Sequence, residues 1–136
     1  ETSLLSEGEL SQADVAFCLE PAALAPPAAA ALAAFALRGG GLFISAGPGQ
    51  DPGTLAFLGV DSGGTPPATL GEIVTAHREP FRLASWDERH PIWAPLLAAS
   101  VPLGPDAPLF TAYRKLIPGP GARVLASFAT GDPALL

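Results

Sequence analysis

The sequence has a single cysteine, no methionine and only two histidines among its 136 residues. One cysteine excludes an internal disulfide bond. A metal site needs several ligands at suitable spacing, and neither histidine, His77 or His90, has a second histidine or a cysteine close to it in the sequence. We therefore expect no bound metal ion and no cofactor.

Basic residues and long apolar runs are also scarce. Seven Lys and Arg against thirteen Asp and Glu give a net charge of −6, which argues against nucleic acid or an anionic membrane as a partner. No apolar run approaches the ~20 residues that cross a membrane, so we expect no direct membrane insertion. The chain begins with acidic residues and has no initiator methionine. We thus expect no signal peptide, and a single domain, residues 1–136, that is a segment of a larger protein.

The clearest structural pattern lies between Val15 and Gly47, where a strand, a helix and a second strand are predicted. Val15–Leu19 and 42–45 are short apolar runs typical of strands that are buried on both faces. Between them, a proline pair precedes an alanine-rich segment, 28–37, and three glycines follow it, as at the two ends of a helix. We expect a parallel βαβ unit. Its expected buried residues are Phe17, Leu19, Leu32, Phe35, Leu42 and Ile44.

Further along the chain, the pattern favours strands joined by turns. Residues 73–75 suggest a third strand, and 134–136 suggest the start of another. Residues 109–116 and 123–128 are rich in strand formers and flank a Pro-Gly-Pro-Gly sequence, which predicts that they pair as an antiparallel hairpin.

Two local features leave alternatives open. Cys18 lies inside the first apolar run, where it is either a small buried hydrophobic residue or a reactive thiol. The segment Gly47–Gly53, GPGQDPG, is either a tight turn or a loop that holds a small anion. Its spacing matches neither nucleotide-binding fingerprint, and Asp51 would repel a phosphate.

The segment between Trp86 and Trp93 contains Asp87, Glu88 and His90, a set of residue types found in metal and acid–base sites. Adjacent carboxylates on an extended chain point to opposite faces, so they do not converge on one ligand. We expect a solvent-exposed loop that its two tryptophans anchor to the core.

Several stretches together resemble the class I glutamine amidotransferase-like domain. They are ADVAFCLEP, LAPP, LAAFALRGGGLFISAG, DERHPIW and RVLASFATGDPALL, within residues 13–136. The resemblance is to the non-catalytic kind found in bacterial aerotolerance-regulator-like membrane proteins, which also carry von Willebrand factor A-type domains. It implies a parent protein anchored at the bacterial inner membrane. With the strand pattern, it implies an α/β fold: a flavodoxin-like three-layer sandwich with a mostly parallel sheet and an antiparallel hairpin near the C-terminus.

The resemblance also places the family's nucleophile elbow, G-x-C-x-G, on residues 43–47 of this chain. Ser45 stands where the family has cysteine, and Phe43 stands where it has the first glycine. The family's late catalytic histidine has no counterpart, because no histidine follows His90. The triad is therefore absent.

Two functions follow as hypotheses. The first is a non-catalytic interaction or ligand-sensing domain, whose partner is another protein or other domains of the parent chain. The alternative is a serine-dependent hydrolase or transferase that uses Ser45 with His77 or His90. Ligands of open α/β sheets lie beyond the carboxyl ends of the parallel strands. The ligand-binding candidates at that edge are Glu20, Ser45, Gly47, Gly49, Gln50 and, if the strand at 73–75 is also parallel, His77.

Overall fold

The computed structural model describes residues 7–21, 24–59, 65–99 and 108–136, and all statements of structure below concern these residues. The chain forms two compact units, Glu1–Pro66 and Pro67–Leu136, here called the N-terminal and the C-terminal unit.

The N-terminal unit contains the predicted βαβ arrangement. Its elements are α1 (Glu7–Leu10), β1 (Val15–Leu19), α2 (Pro26–Leu37), β2 (Gly41–Ser45) and a 3-10 turn at Ala56–Gly59. β1 and β2 are parallel and in continuous register, from the pair Val15 and Gly41 to the pair Leu19 and Ser45. The sequence prediction of two adjacent parallel strands joined by a helix is confirmed.

The end of α2 shows why the predicted helix stops where it does. Gly39 adopts a left-handed conformation with φ of +92°, which a residue with a side chain rarely adopts. Its N–H donates to the carbonyl of Ala36, and the N–H of Gly40 donates to the carbonyl of Phe35. These two bonds form a Schellman motif, and the ring of Phe35 lies directly against Gly40. The glycines therefore turn the chain back into β2.

Burial in this unit follows the alternation of side chains along β1. Cys18 is 7 % exposed and packs with Leu32 and Phe35 of α2, as predicted for a small buried hydrophobic residue. Two residues predicted to be buried are not: Phe17 is 68 % and Leu19 is 71 % exposed. The prediction was wrong for these two because successive residues of a strand point to opposite faces, and α2 covers only one of them. Leu42 and Ile44 of β2 pack against the core and are partly buried.

The C-terminal unit consists of antiparallel strands and short helical turns. Its elements are β3 (Ala68–Thr75), β4 (Leu83–Trp86), a 3-10 turn at Pro91–Trp93, α3 (Ala94–Ala98), β5 (Ala112–Pro118), β6 (Ala126–Phe128) and β7 (Pro133–Leu135). β3 pairs with β5, and β6 pairs with both β4 and β7.

This topology corrects the predicted fold class. The flavodoxin-like three-layer sandwich with a mostly parallel sheet is wrong, because β1 and β2 are the only parallel pair among the described strands and the other sheets are antiparallel. The hairpin predicted from 109–116 and 123–128 is also wrong. β5 and β6, which occupy these segments, belong to different sheets, and the hairpin near the C-terminus is formed by β6 and β7.

The segment that contains the two tryptophans is anchored as predicted. Trp93 is 6 % exposed and packs with Leu125 and Ala126, and Trp86 lies at the edge of the same cluster. Between them, the side chains of Glu88 and Arg89 are exposed. The tryptophans therefore hold down a loop that otherwise faces solvent.

Candidate functional site

The candidate site lies where β1 and β2 end side by side. Leu19 and Ser45 are the last paired residues of the two strands, so the segments that follow them leave the sheet at the same edge. Parallel pairing thus brings Glu20, Ser45, Gly47 and Gln50 together, as the sequence predicted for the N-terminal unit.

Ser45 and Glu20 form the first contact of this edge. The backbone N–H of Glu20 donates to the Ser45 hydroxyl oxygen at 2.9 Å. Glu20 has a φ of +45°, the only positive φ among the described residues that are not glycine. Such a conformation costs about 1–2 kcal/mol for a residue with a Cβ, and the hydrogen bond that the Glu20 N–H donates to Ser45 holds the turn in place. The Ser45 hydroxyl therefore has a structural partner.

Gln50 closes the loop that follows β2. It is 4 % exposed, and its side-chain oxygen accepts from the N–H of Gly47 at 2.7 Å. Its side-chain nitrogen donates to the carbonyl of Ser45 at 3.2 Å. A buried amide with both ends bonded to the backbone satisfies groups that would otherwise be buried unpaired. Gln50 fastens the loop from the inside, and its polar atoms are already engaged.

Gly47 leaves room at this edge for the end of the Glu20 side chain, which is exposed and would move aside for a larger residue. A Cβ built on it would lie 2.5 Å from the carboxyl carbon of Glu20, whereas a Cβ on Gly49 would meet no atom within 4 Å. The Glu20 side chain thus lies against the backbone of the loop, at an exposed rim. Gly49 belongs to the same turn but faces open space.

His77, the sixth ligand-binding candidate, belongs to the C-terminal unit. It follows β3, which pairs with β5 and does not belong to the sheet of β1 and β2. The predicted condition, that the strand before His77 runs beside β1 and β2 as a third parallel strand, is therefore not met. An apolar groove of about 150 Å³ in the N-terminal unit, lined by residues of α2 and of the 3-10 turn, contains none of the six candidates.

His90, the other histidine, has a local structural role. Its Nδ1 accepts from the N–H of Ile92 at 3.4 Å, at the start of the 3-10 turn Pro91–Trp93. Nearby, Asp87 forms an ion pair with Arg123 and accepts a second hydrogen bond from the N–H of Arg89. These side chains fix the loop between the tryptophans rather than converge on one point.

A polar cluster that the sequence did not predict lies in the C-terminal unit. The Tyr113 hydroxyl donates to Asp132 Oδ2 at 2.6 Å and lies 3.0 Å from the Thr130 hydroxyl. Asp132 Oδ1 is 3.2 Å from the ammonium of Lys115. The Tyr113 ring is stacked on Phe128 with centroids 4.1 Å apart. The cluster therefore ties the turn between β6 and β7 to β5.

The protonation states in this cluster follow from its contacts. Burial, followed by the hydrogen bond to Asp132, raises the pKa of Tyr113, so the phenol stays protonated and acts as a donor. The hydrogen bond from Tyr113 and the charge of Lys115 lower the pKa of Asp132. The hydrogen bond to the Asp132 carboxylate, together with its negative charge, raises the pKa of Lys115. Only the β-strand alternation around Tyr113 hinted at its burial, since its acidic partner is 19 residues away in the sequence.

The structure also bears on metal binding, on the reactivity of Cys18 and on membrane insertion. No group of three or more His, Cys, Asp and Glu side chains is placed to hold a metal ion within the described part of the chain. Burial raises the pKa of the Cys18 thiol, which disfavours the reactive thiolate. Among the described residues, no helix has the length and apolar character that would let it span a bilayer.

Searches against protein-family models, curated proteins and solved structures found no match to this chain.

Proposed function

We propose that this chain is a non-catalytic interaction domain of a larger bacterial protein, and that it binds its partner through the uncovered side of the β1–β2 pair. One observation supports this most directly: Val15, Phe17 and Leu19 are 52, 68 and 71 % exposed on one side of β1. Phe43 of β2 lies on the same side, opposite Phe17. These four residues are called the open face below.

An apolar sheet face of this kind is unusual in the absence of a partner. Strands in parallel sheets are normally covered on both faces, and contiguous apolar patches on a protein surface mark interaction sites. α2 covers one face of the pair, and the open face has the composition of a second buried face. The membrane anchorage of the parent protein is a further part of the proposal, supported only by the resemblance of the sequence motifs.

Catalysis by Ser45 is the weaker alternative. The Ser45 hydroxyl accepts a hydrogen bond from the backbone of Glu20, and the N-terminal unit contains no histidine that could serve as its base. A fluorophosphonate probe tests this alternative. Covalent labelling that is lost in Ser45→Ala would contradict the non-catalytic proposal, and we expect none.

Site-specific cross-linking tests the interaction itself. A photoreactive p-benzoylphenylalanine replaces Phe17 in the parent protein, and the same residue replaces Ile117, which is 52 % exposed in the C-terminal unit, as a matched control. We expect a defined adduct after irradiation from position 17 and none from position 117. Equal adducts from both positions, or none from position 17, would contradict the proposal.

A further inference from the structure

β1 lies at the edge of its sheet, and none of the features that usually protect such an edge is present in it. Edge strands of natural proteins carry charged residues or proline, are very short, or are bent by a β-bulge. β1 has five residues, all apolar and none of them proline, and its pairing with β2 continues without a register shift. A regular apolar edge of this kind is a template for a further strand.

The other described sheets are protected in the usual ways. The β3–β5 pair and the pairs of β6 with β4 and with β7 each contain a register shift. β3 contains Glu72, β5 contains Lys115, and β7 begins with Pro133. Among the described strands, the combination of an apolar sequence with uninterrupted pairing is therefore confined to β1 and β2.

The backbone of β1 directs alternate residues away from β2. The carbonyl of Asp14 accepts from the N–H of Gly41 at 2.9 Å, and the N–H of Glu20 donates to the Ser45 hydroxyl at 2.9 Å. The even-numbered residues along β1 thus direct their backbone groups toward β2, and the odd-numbered ones direct theirs to the outer edge. The outward-directed residues are Val15, Phe17 and Leu19. Within the described part of the chain, no backbone hydrogen bond reaches their outward groups.

Of the two outer edges of the pair, that of β1 is the more open. Phe17 and Phe43 are neighbours on the same face, yet Phe17 is exposed whereas Phe43 is partly buried. Leu19 is likewise exposed, and its partner Ser45 is partly buried. A further strand therefore has the freest access along β1.

The chemistry of this edge selects its occupant. The outward groups of β1 form a row of hydrogen-bond donors and acceptors, which another extended chain matches along its whole length. A helix uses its backbone groups internally, and the hydrocarbon of a lipid bilayer offers no hydrogen-bond partner. A second copy of the chain would bring together two net charges of −6. An extended segment of a different protein is therefore favoured.

We infer that the outer edge of β1 binds an extended segment of a partner protein, which joins the sheet as a third strand. This inference rests on the proposed function and adds the way in which the partner binds. Backbone hydrogen bonds to the outward groups of β1 supply affinity, and side chains of the segment on the open face pack beside Phe17 and Leu19. The segment is apolar at alternate positions and contains no proline.

A peptide copy of β2 tests this inference, because β2 already pairs with β1 on its inner side. The peptide Gly-Leu-Phe-Ile-Ser, residues 41–45, carries a short glycine–serine tail at each end and a fluorescent label. It is titrated with the 136-residue chain at concentrations up to about 1 mM. A control peptide has the same side chains but N-methyl groups on its central residues, which remove its backbone donors. We expect saturable 1:1 binding of the first peptide, and binding of the control that is weaker by about tenfold or more.

Amide hydrogen exchange locates the added strand on the chain. The N–H groups of Phe17 and Leu19 gain acceptors when a strand joins this edge, so we expect them to exchange about tenfold or more slowly with the peptide present. The N–H groups of Ala16 and Cys18 already face β2, and their exchange should change little.

A matched pair of variants separates the backbone from the side chain. Leu19→Pro removes an outward N–H, whereas Leu19→Ala removes most of the side chain and keeps the N–H. We expect the proline variant to bind the peptide more weakly than the alanine variant. Glu88→Gln, an exposed change in the C-terminal unit, should leave binding unchanged. Circular dichroism verifies that each variant is folded, and the N-methylated peptide provides the same comparison without any change to the chain.

Four outcomes would overturn the inference. They are no binding of the unmodified peptide, equally tight binding of the N-methylated peptide, slowed exchange at Leu42 and Ile44 instead of at Phe17 and Leu19, and dimerisation of the chain that Leu19→Pro abolishes. The cross-link from position 17 separates these failures from failure of the proposed function. A protein adduct there with no peptide binding rejects only strand addition, whereas the absence of an adduct rejects the interaction role as well.

Discussion

Phe17 and Phe43 lie side by side on paired strands with their ring centroids 5.5 Å apart and their planes inclined by 42°. The two rings are on the side of the sheet that α2 does not cover. Tilted aromatic pairs of this kind stabilise a sheet modestly, even where water reaches them. The same residues are therefore part of the sheet's own pairing and of the face that α2 leaves open.

The two faces of β1–β2 should respond differently to truncation. Leu32 of α2 is completely buried, so we expect Leu32→Ala to lower the free energy of unfolding of the N-terminal unit by about 2–5 kcal/mol. Phe17→Ser, on the open face, should change it by less than about 0.5–1 kcal/mol. Urea denaturation followed by circular dichroism is the measurement, because both tryptophans lie in the C-terminal unit. Equal losses in the two variants would show that the faces are wrongly assigned.

The end of α2 should depend on glycine at position 39. With a φ of +92°, Gly39→Ala places a side chain in a left-handed conformation, and we expect a loss of about 1 kcal/mol or more. Gly53→Ala is the control, because a Cβ there meets no atom within 4 Å and the residue has no left-handed φ. Thermal midpoints from circular dichroism provide the comparison. No difference between the two variants would contradict the observed helix end.

The loop beyond β2 should loosen when its buried amide is removed. Gln50→Ala leaves the Gly47 N–H and the Ser45 carbonyl without their partner, at an expected cost of about 1–3 kcal/mol. Gln12→Ala, at an exposed position, should have almost no effect. Hydrogen exchange of the Gly47 amide reports the change locally, and unaltered protection in Gln50→Ala would show that the amide does not hold the loop.

Acid should weaken the C-terminal unit through Asp132. Its pKa is lower in the folded chain than in the unfolded one, because Tyr113 donates to it and Lys115 pairs with it, so its ionised form favours folding. This contribution is complete above the ordinary carboxyl pKa of about 3.9 and is lost as the pH falls through the lower folded value. Asp132→Asn should therefore show less destabilisation than the parent chain between about pH 6 and pH 2.5.

The midpoint of urea unfolding, followed by tryptophan fluorescence, measures this difference within the unit that contains the cluster. Glu79→Gln, an exposed change in the same unit, is the control and should follow the parent chain. If the urea midpoint falls by the same amount with decreasing pH in Asp132→Asn and in the parent chain, the cluster is excluded as a source of acid sensitivity.

Local signals in the sequence were sufficient for the βαβ unit. The proline pair at the start of α2 and the glycines at its end act through their own backbone conformations, so they predicted the helix without knowledge of its surroundings. The pairing of β5 was not predictable in this way. The composition of β5 is compatible with pairing to any neighbouring strand. In the fold β5 pairs with β3, and β6, the strand nearest to it in the sequence, pairs with β4 instead.

Composition also failed to predict which faces the protein itself covers. Phe17 and Leu19 have the character of core residues, and a sequence does not distinguish a face covered by its own helix from one left open. The candidate edge was predictable because parallel strands end together, but the bonds of Gln50 were not. The contact of Tyr113 with Asp132 joins two sheets and has no local signature.

We expect the open face to govern the colloidal behaviour of the chain as well. Near neutral pH, like charges on neighbouring molecules oppose contact between their apolar faces. Close to the isoelectric point, about pH 4.6 from the sequence, that repulsion vanishes while the aromatic surface remains. Light scattering should therefore rise steeply as concentrated protein is titrated toward that pH, and Phe17→Ser should delay the onset of turbidity.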